Sequence, residues 1–330
     1  MKDRCRRLPP GRLRGLLFCY LSLLLPCTGR AQEPGAELVL KSYLYTYPEK
    51  VQSVSRIDGD WTIRLGDETF YWARGRLLPE GLRDSWESYR PHSFTLYPRD
   101  IPSPENFSPE QIEELRIRGS AEARLDREDH HHAFQGALYG GLTRQEIERN
   151  LVRRFFLGHQ VTVHRDIAEP LKRVEGLITS LAEEDREIAA FIASIRSVDG
   201  YNWREIRGTR RMSYHSWGLA VDILCDQRQS AGGPEGRNPV VYWLWERAHN
   251  DNWMLVPPER RWTPPDRVIR AFENEGFIWG GKWALYDNMH FEFRPELHEI
   301  NRLLAGSAEA TRIFRAEDLP DLHHIYPVLE

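Results

Sequence analysis

Between residues 61 and 73 apolar and polar side chains alternate on either side of Gly66-Asp67. A period of two is the signature of a strand, so this stretch predicts a β-hairpin with a two-residue turn. Elsewhere the apolar residues recur at helical spacing. Leu171, Val174, Ile178 and Leu181 form one stripe behind Pro170, which is expected to open a helix; Ile188, Phe191, Ile192 and Ile195 form another. Thr143 with Glu146 three positions later is a capping box, and Ile147, Leu151 and Phe155 extend it to a predicted helix over about 144–157. Thr263 as N-cap, Pro264 at the first helical position, Val268, Ile269 and Phe272 inside and Gly276 beyond the end predict a further helix. Residues 161–163, 218–223 and 289–293 read as short strands, 79–108 as irregular chain, and 109–132 as a charged, helix-prone and solvated stretch ending in His130-His131-His132. The pattern as a whole is α+β: a small antiparallel sheet flanked by helices, preceded by an accessory region that contains the hairpin.

The start of the chain follows a different logic. Residues 1–14 are basic, 15–27 are apolar but too short to cross a bilayer comfortably, and Gly29-Arg30-Ala31 offers small residues at the −3 and −1 positions. That order is that of a secretory signal peptide over 1–31 and predicts export to the periplasm or cell envelope. Leu24-Leu25-Pro26-Cys27 loosely resembles a lipobox, so lipid anchoring at Cys27 is the lesser alternative.

Removing this segment changes the charge. The chain has a net charge of −4, but residues 1–31 hold seven bases and one acid, which leaves 38 bases against 48 acids in the rest. A body at −10 has no footprint for a phosphate backbone, so nucleic acid is not an expected partner. Three of the four cysteines also fall in the leader; Cys225 alone remains, which excludes an internal disulfide or a cysteine metal cage. The predicted organisation is a signal peptide over 1–31, an accessory region over 32–150, a catalytic domain over 151–305 and a tail over 306–330.

Two segments carry chemistry. They are Ser213-Tyr214-His215-Ser216-Trp217-Gly218-Leu219-Ala220-Val221-Asp222 and Asp287-Asn288-Met289-His290-Phe291-Glu292. Along a strand alternate residues share a face, so Leu219, Val221 and Ile223 point to a core while Gly218, Ala220 and Asp222 point the other way. In the second segment Met289, Phe291 and Phe293 form the apolar face, and His290 and Glu292 the polar one. Two imidazoles and a carboxylate on open strand faces suit a three-ligand metal site with a fourth position free for water, as in catalytic zinc.

These segments resemble the Ser-x-His-x-x-Gly-x-Ala-x-Asp and Asp/Glu-x-x-His motifs of the VanY-like D-alanyl-D-alanine carboxypeptidases, within the LAS group of zinc peptidases acting on peptidoglycan stem peptides. The resemblance spans about 161–297 and includes Tyr201-Asn202-Trp203-Arg204 and Gly276-Phe277-Ile278-Trp279-Gly280-Gly281. It implies that His215, Asp222 and His290 bind Zn²⁺ and that Asp287 is the general base. It also implies an arginine upstream of the first motif for the oxyanion or a substrate carboxylate; Arg204 is the first choice, with Arg207 and Arg210 as rivals.

Other residues admit two readings. Glu292 is either the acceptor that fixes a ligand histidine or the salt-bridge partner of Arg294. Trp279 and Trp283, with Gly280 and Gly281, either wall a pocket or pack the core. His130-His131-His132 and His323-His324 suggest at most adventitious metal binding, and Cys225 a small buried hydrophobe. Three kinds of function remain open: a peptidoglycan peptidase, either carboxypeptidase or endopeptidase at a neighbouring bond; a non-catalytic wall- or protein-binding module on the same fold; and a structural envelope protein whose working part is the 32–150 segment.

Overall fold

The structure is a computed structural model that describes residues 35–91, 96–125, 130–204, 206, 212–226 and 238–305. The leader, Cys27, Arg207, Arg210 and His323-His324 therefore lie outside the described residues. The fold is mixed, with helices packed around antiparallel sheets, as the sequence predicts.

Helix α1 (Ala36–Thr46) leads into a four-stranded meander, β1 (Val51–Ile57), β2 (Asp60–Leu65), β3 (Glu68–Ala73) and β4 (Arg76–Pro79), in the order β1-β2-β3-β4. The predicted hairpin is β2–β3, with Gly66 at φ +57° in its turn and Ile63 paired to Phe70. Its two flanking strands carry no alternation long enough to be read from sequence. Residues 79–108, expected to be irregular, include a 3₁₀ stretch at Glu80–Ser88 and a short turn at Pro104–Asn106.

Helices α2 (Pro109–Gly119), α3 (Ala121–Leu125), α4 (Ala133–Tyr139) and α5 (Arg144–Glu148) follow. The solvated character expected of 130–132 is corrected. His130 is only 4% exposed, and the His132 ring lies 5.2 Å from that of Trp217. The capping box of Thr143 and Glu146 forms. The helix it starts does not reach 157, however, because Leu151–Phe156 is strand β5. It pairs with β6 (His159–His164) across Leu157 (φ +48°) and Gly158 (φ +84°). A two-residue turn with both φ positive matches the right-handed twist of a hairpin, and it outweighs the accidental helical spacing of Leu151 and Phe155.

Helix α6 (Arg165–Glu184) begins five residues before Pro170, with His164 as its cap. The proline therefore lies in the second turn, where it forfeits one backbone bond, rather than defining the start. The expected stripe is real: Leu171, Val174 and Ile178 are fully buried. Helix α7 (Arg186–Ser194) ends before Ile195, which belongs to β7 (Ile195–Asp199). Then come β8 (Ala220–Cys225), α8 (Trp243–Arg247), α9 (Asp266–Asn274), β9 (Phe277–Trp279), β10 (His290–Phe293) and α10 (Pro295–Ala305). Helix α9 is capped by Pro265 rather than Thr263, and Gly276 follows it at φ +86° as expected. The strand expected from Gly218 starts at Ala220 instead, because Gly218 is the left-handed cap of a 3₁₀ turn at Tyr214–Trp217.

The second sheet runs β7-β8-β10-β9, antiparallel throughout. Its apolar face packs on α9, where Phe272 stacks on Phe291 at 4.0 Å between centroids. One apolar core extends from Val39 in α1 to Leu304 in α10, so the N-terminal region and the second sheet share an interior. No described helix is long and apolar enough to cross a membrane.

Candidate metal centre and its surroundings

The register of the second sheet places His290 directly opposite Asp222, and Phe291 opposite Val221. Directly opposed residues share a face, so the imidazole and carboxylate meet on the side away from Phe291 and α9. His215 arrives from the 3₁₀ turn before β8. Ser213 caps that turn through its hydroxyl, which accepts from the His215 amide at 3.3 Å. Gly218 closes the turn at φ +70°, and its carbonyl accepts from the His164 amide at 2.8 Å, tying the turn to β6.

Three atoms converge. His215 Nε2 lies 3.2 Å from His290 Nδ1, His215 Nε2 3.2 Å from Asp222 Oδ1, and His290 Nδ1 2.9 Å from Asp222 Oδ1. Among the described residues this is the group able to hold a metal ion. Each ring is fixed from behind. His215 Nδ1 donates to the Gly200 carbonyl at 2.7 Å and His290 Nε2 donates to Glu292 at 3.1 Å. With the outer nitrogens committed as donors, the inner ones present lone pairs. Glu292 also accepts from Arg294 at 3.4 Å, so the two readings of that residue hold together.

The electrostatics demand positive charge at the point of convergence. Burial would raise the Asp222 carboxyl, but the charge of His215 and hydrogen bonds from both histidines hold it well below its ordinary range. Burial would lower the His290 imidazole, but hydrogen bonds to Asp222 and Glu292 outweigh it and hold it up at about 10. A proton or a metal cation among the three atoms satisfies the pocket, and the two compete for one place.

Asp287 sits beside this cluster. Its carbonyl accepts from the His290 amide at 3.2 Å, its amide donates to Gly280 at 3.0 Å, and Tyr242 bridges to it from a neighbouring segment. Gly280 is required by that approach, since a Cβ there would lie 2.5 Å from the Asp287 carbonyl oxygen. Asp287 Oδ1 is buried and has no hydrogen-bond partner. Burial first, and the Asp222 carboxylate second, push this carboxyl up to about 8. Arg204 is exposed, and its positive charge acts on both Asp287 and Tyr242. Its backbone is pinned to the His215 turn by Ser216, whose hydroxyl accepts from the Arg204 amide at 3.0 Å and donates to its carbonyl at 2.8 Å.

The structure thus brings His215, Asp222, His290 and Asp287 together, with Arg204 within electrostatic reach. Trp279 is completely buried, with Nε1 donating to the Asn288 carbonyl at 2.8 Å, so the core reading applies to it. Gly281 permits this, since a Cβ there would fall 2.1 Å from the indole. Trp283 is buried against His290 at 5.6 Å between rings. Cys225 is half-buried at the edge of the core and its thiol is pushed up to about 11 by burial. Sequence reasoning missed the Gly200 carbonyl, which orients His215, and Tyr242, whose burial raises its phenol. Neither lies in a motif, and only the fold delivers them.

Fold and site together define a candidate metal centre in which two imidazoles and a carboxylate converge beside a second, buried carboxylate. Residues 207–293, about a quarter of the chain, match the family described as D-alanyl-D-alanine carboxypeptidase, so the VanY-like likeness read from the two motifs stands for that segment. Residues 39–94 match a domain of unknown function. No curated protein and no solved structure gives a significant match.

Proposed function

We propose that the protein is an exported zinc metallopeptidase that hydrolyses peptide bonds in peptidoglycan stem peptides, as a D-alanyl-D-alanine-type carboxypeptidase. The supporting observation is Asp287. A buried carboxyl with one oxygen unpartnered, pushed up towards neutrality, beside a His-Asp-His cluster is what a general base requires.

The donor set fits zinc. Tetrahedral bonds of about 2.0–2.1 Å put donor atoms about 3.3 Å apart. The three atoms here are separated by 2.9, 3.2 and 3.2 Å. His215, Asp222 and His290 would hold the ion, whose chemistry there is to acidify water and polarise a carbonyl. Asp287 would take the proton of the attacking water and return it to the leaving amine. Arg204, cationic at the rim, would pair with the terminal carboxylate of the stem peptide or the developing oxyanion. In a mature chain at −10, recognition of an anionic peptide rests on that local charge rather than on the global field.

In this reading the chain comprises a signal peptide over 1–31, an accessory region over 32–150, the peptidase domain over 151–305 and a tail over 306–330. The rival activity on the same site is an endopeptidase at a neighbouring bond, and the rival without chemistry is a wall-binding module. The test is a synthetic pentapeptide ending in D-alanyl-D-alanine, incubated with zinc-loaded protein and with His215→Ala. Release of D-alanine by the first alone supports the carboxypeptidase. Binding of the peptide without release by either points to the module.

A further inference from the structure

A file of buried charges and hydroxyls runs from His290 into the N-terminal part of the chain. Glu292 accepts from His290 at 3.1 Å and from Arg294 at 3.4 Å; Arg294 Nε donates to Glu296 at 2.5 Å. Glu296 accepts in turn from the Tyr43 hydroxyl at 3.5 Å and the Tyr47 hydroxyl at 3.1 Å, and Tyr47 is joined to Tyr139 at 2.7 Å. Glu292, Arg294 and Glu296 are 3%, 5% and 1% exposed, and Tyr43 and Tyr47 are buried with them. The Arg294 guanidinium also lies 5.0 Å over the ring of Tyr214, in the turn that carries His215. One cation therefore touches the supports of both histidines.

Three ions taken out of water are a poor device for stability, because a buried triad can often be replaced by apolar packing at no loss. What such a file does well is fix a single arrangement of side chains. We propose that Tyr43 on α1 and Tyr47 at its C-cap, both in the segment that matches a domain of unknown function, are positioning residues for the metal centre. Acting through Glu296 and Arg294, they hold Glu292 in place and so set the ring of His290 towards the metal. Glu296 saturated by two phenols leaves Arg294 to be shared with Glu292. Without those donors Glu296 draws the guanidinium to itself, Glu292 loses its anchor, and His290 loses a fixed acceptor. The N-terminal region on this account completes the metal site from behind rather than binding substrate. This rests on the metal-centre reading given above.

The test uses the full chain carrying Tyr47→Phe or Glu296→Gln, with Tyr97→Phe as comparator. Tyr97 is comparably buried in irregular chain, and its hydroxyl donates to Glu273 at 2.6 Å and accepts from the Trp279 amide of β9 at 3.0 Å, outside the file. Zinc affinity is measured by competition with a chromophoric chelator, the coordination geometry by the visible absorption of the cobalt form, and folding by thermal unfolding of the metal-free protein. Affinity is expected to fall about 10–100-fold in Glu296→Gln and by several-fold in Tyr47→Phe, with a changed cobalt spectrum in both. Tyr97→Phe is expected to lower the melting temperature without moving affinity or spectrum. Wild-type affinity and spectrum in both file variants, with only the melting temperature lowered, overturns the proposal. Should Glu296→Gln fail to fold, Tyr47→Phe, which removes one oxygen, decides alone. A wild-type protein that takes up neither zinc nor cobalt is a different result, which overturns the metal-centre reading and this inference with it.

Discussion

Replacing Gly218 by alanine probes the link between backbone conformation and the metal centre. Gly218 sits at φ +70°, and a Cβ there would lie 2.7 Å from the His164 amide nitrogen and 3.2 Å from the Val163 carbonyl carbon. Both are backbone atoms of β6, so no rotamer change relieves the contact. An L-residue in the left-handed region costs about 1–2 kcal/mol. The clash also breaks or stretches the bond from the His164 amide to the Gly218 carbonyl, a net loss of about 0.5–1.5 kcal/mol. The sum is a destabilisation of about 1.5–3.5 kcal/mol. Gly176 is the internal control: it lies inside α6, and a Cβ there meets nothing within 4 Å. Gly176→Ala is expected to stabilise by about 0.5–1 kcal/mol. Urea unfolding of the metal-free protein, extrapolated linearly, measures both. Zinc affinity of Gly218→Ala should fall as well, because the turn it closes holds His215. A Gly218→Ala variant within 0.5 kcal/mol of wild type, or one destabilised no more than Gly176→Ala, refutes the reasoning.

Three further outcomes follow from the same contacts. Glu292→Gln removes the charge behind His290 and is expected to weaken zinc binding about 10–100-fold, as measured by chelator competition; unchanged affinity contradicts the orienting role. Gly281→Ala drives a methyl into the buried Trp279 ring and is expected to cost about 2–4 kcal/mol in urea unfolding, the sum of overpacking and a strained indole hydrogen bond; a neutral result means that the indole is free to move. Burial pushes the His298 imidazole below 6.5, with Glu273, Lys282 and Glu296 the charged groups around it. Its folded pKa is thus below its unfolded one, so its contribution is complete above 6.5 and is lost as the pH falls below that value, where the unfolded chain takes up a proton first. The urea midpoint should drop more between pH 7.5 and 5.5 in wild type than in His298→Gln, and equal drops would count against it.

The site was more legible than the fold. The metal-site reading needs only residue types, period-two alternation and two ordered motifs, and the strand register then brings His290 opposite Asp222. The hairpin at β2–β3 and the capping box at Thr143 were legible for the same reason, since their signals are local. The helix read over 144–157 failed because Leu157-Gly158 is a turn whose meaning depends on the pairing of β5 with β6. Gly218 reads as strand in the sequence because its alternation with Ala220 and Asp222 is local, whereas the 3₁₀ turn it caps and the β6 backbone that excludes a Cβ there leave no period-two signal. The support of His290 by Tyr43 and Tyr47 and of Asp287 by Tyr242 rests on contacts across the chain, and such contacts leave no periodicity to read.

Mass spectrometry of muropeptides digested by the protein tests the central claim most directly. The account predicts loss of terminal D-alanine from pentapeptide stems when zinc is present, none after treatment with chelator, and none at any zinc level with Asp287→Ala. Digestion that survives the chelator, or that Asp287→Ala performs as fast as the wild type, contradicts it.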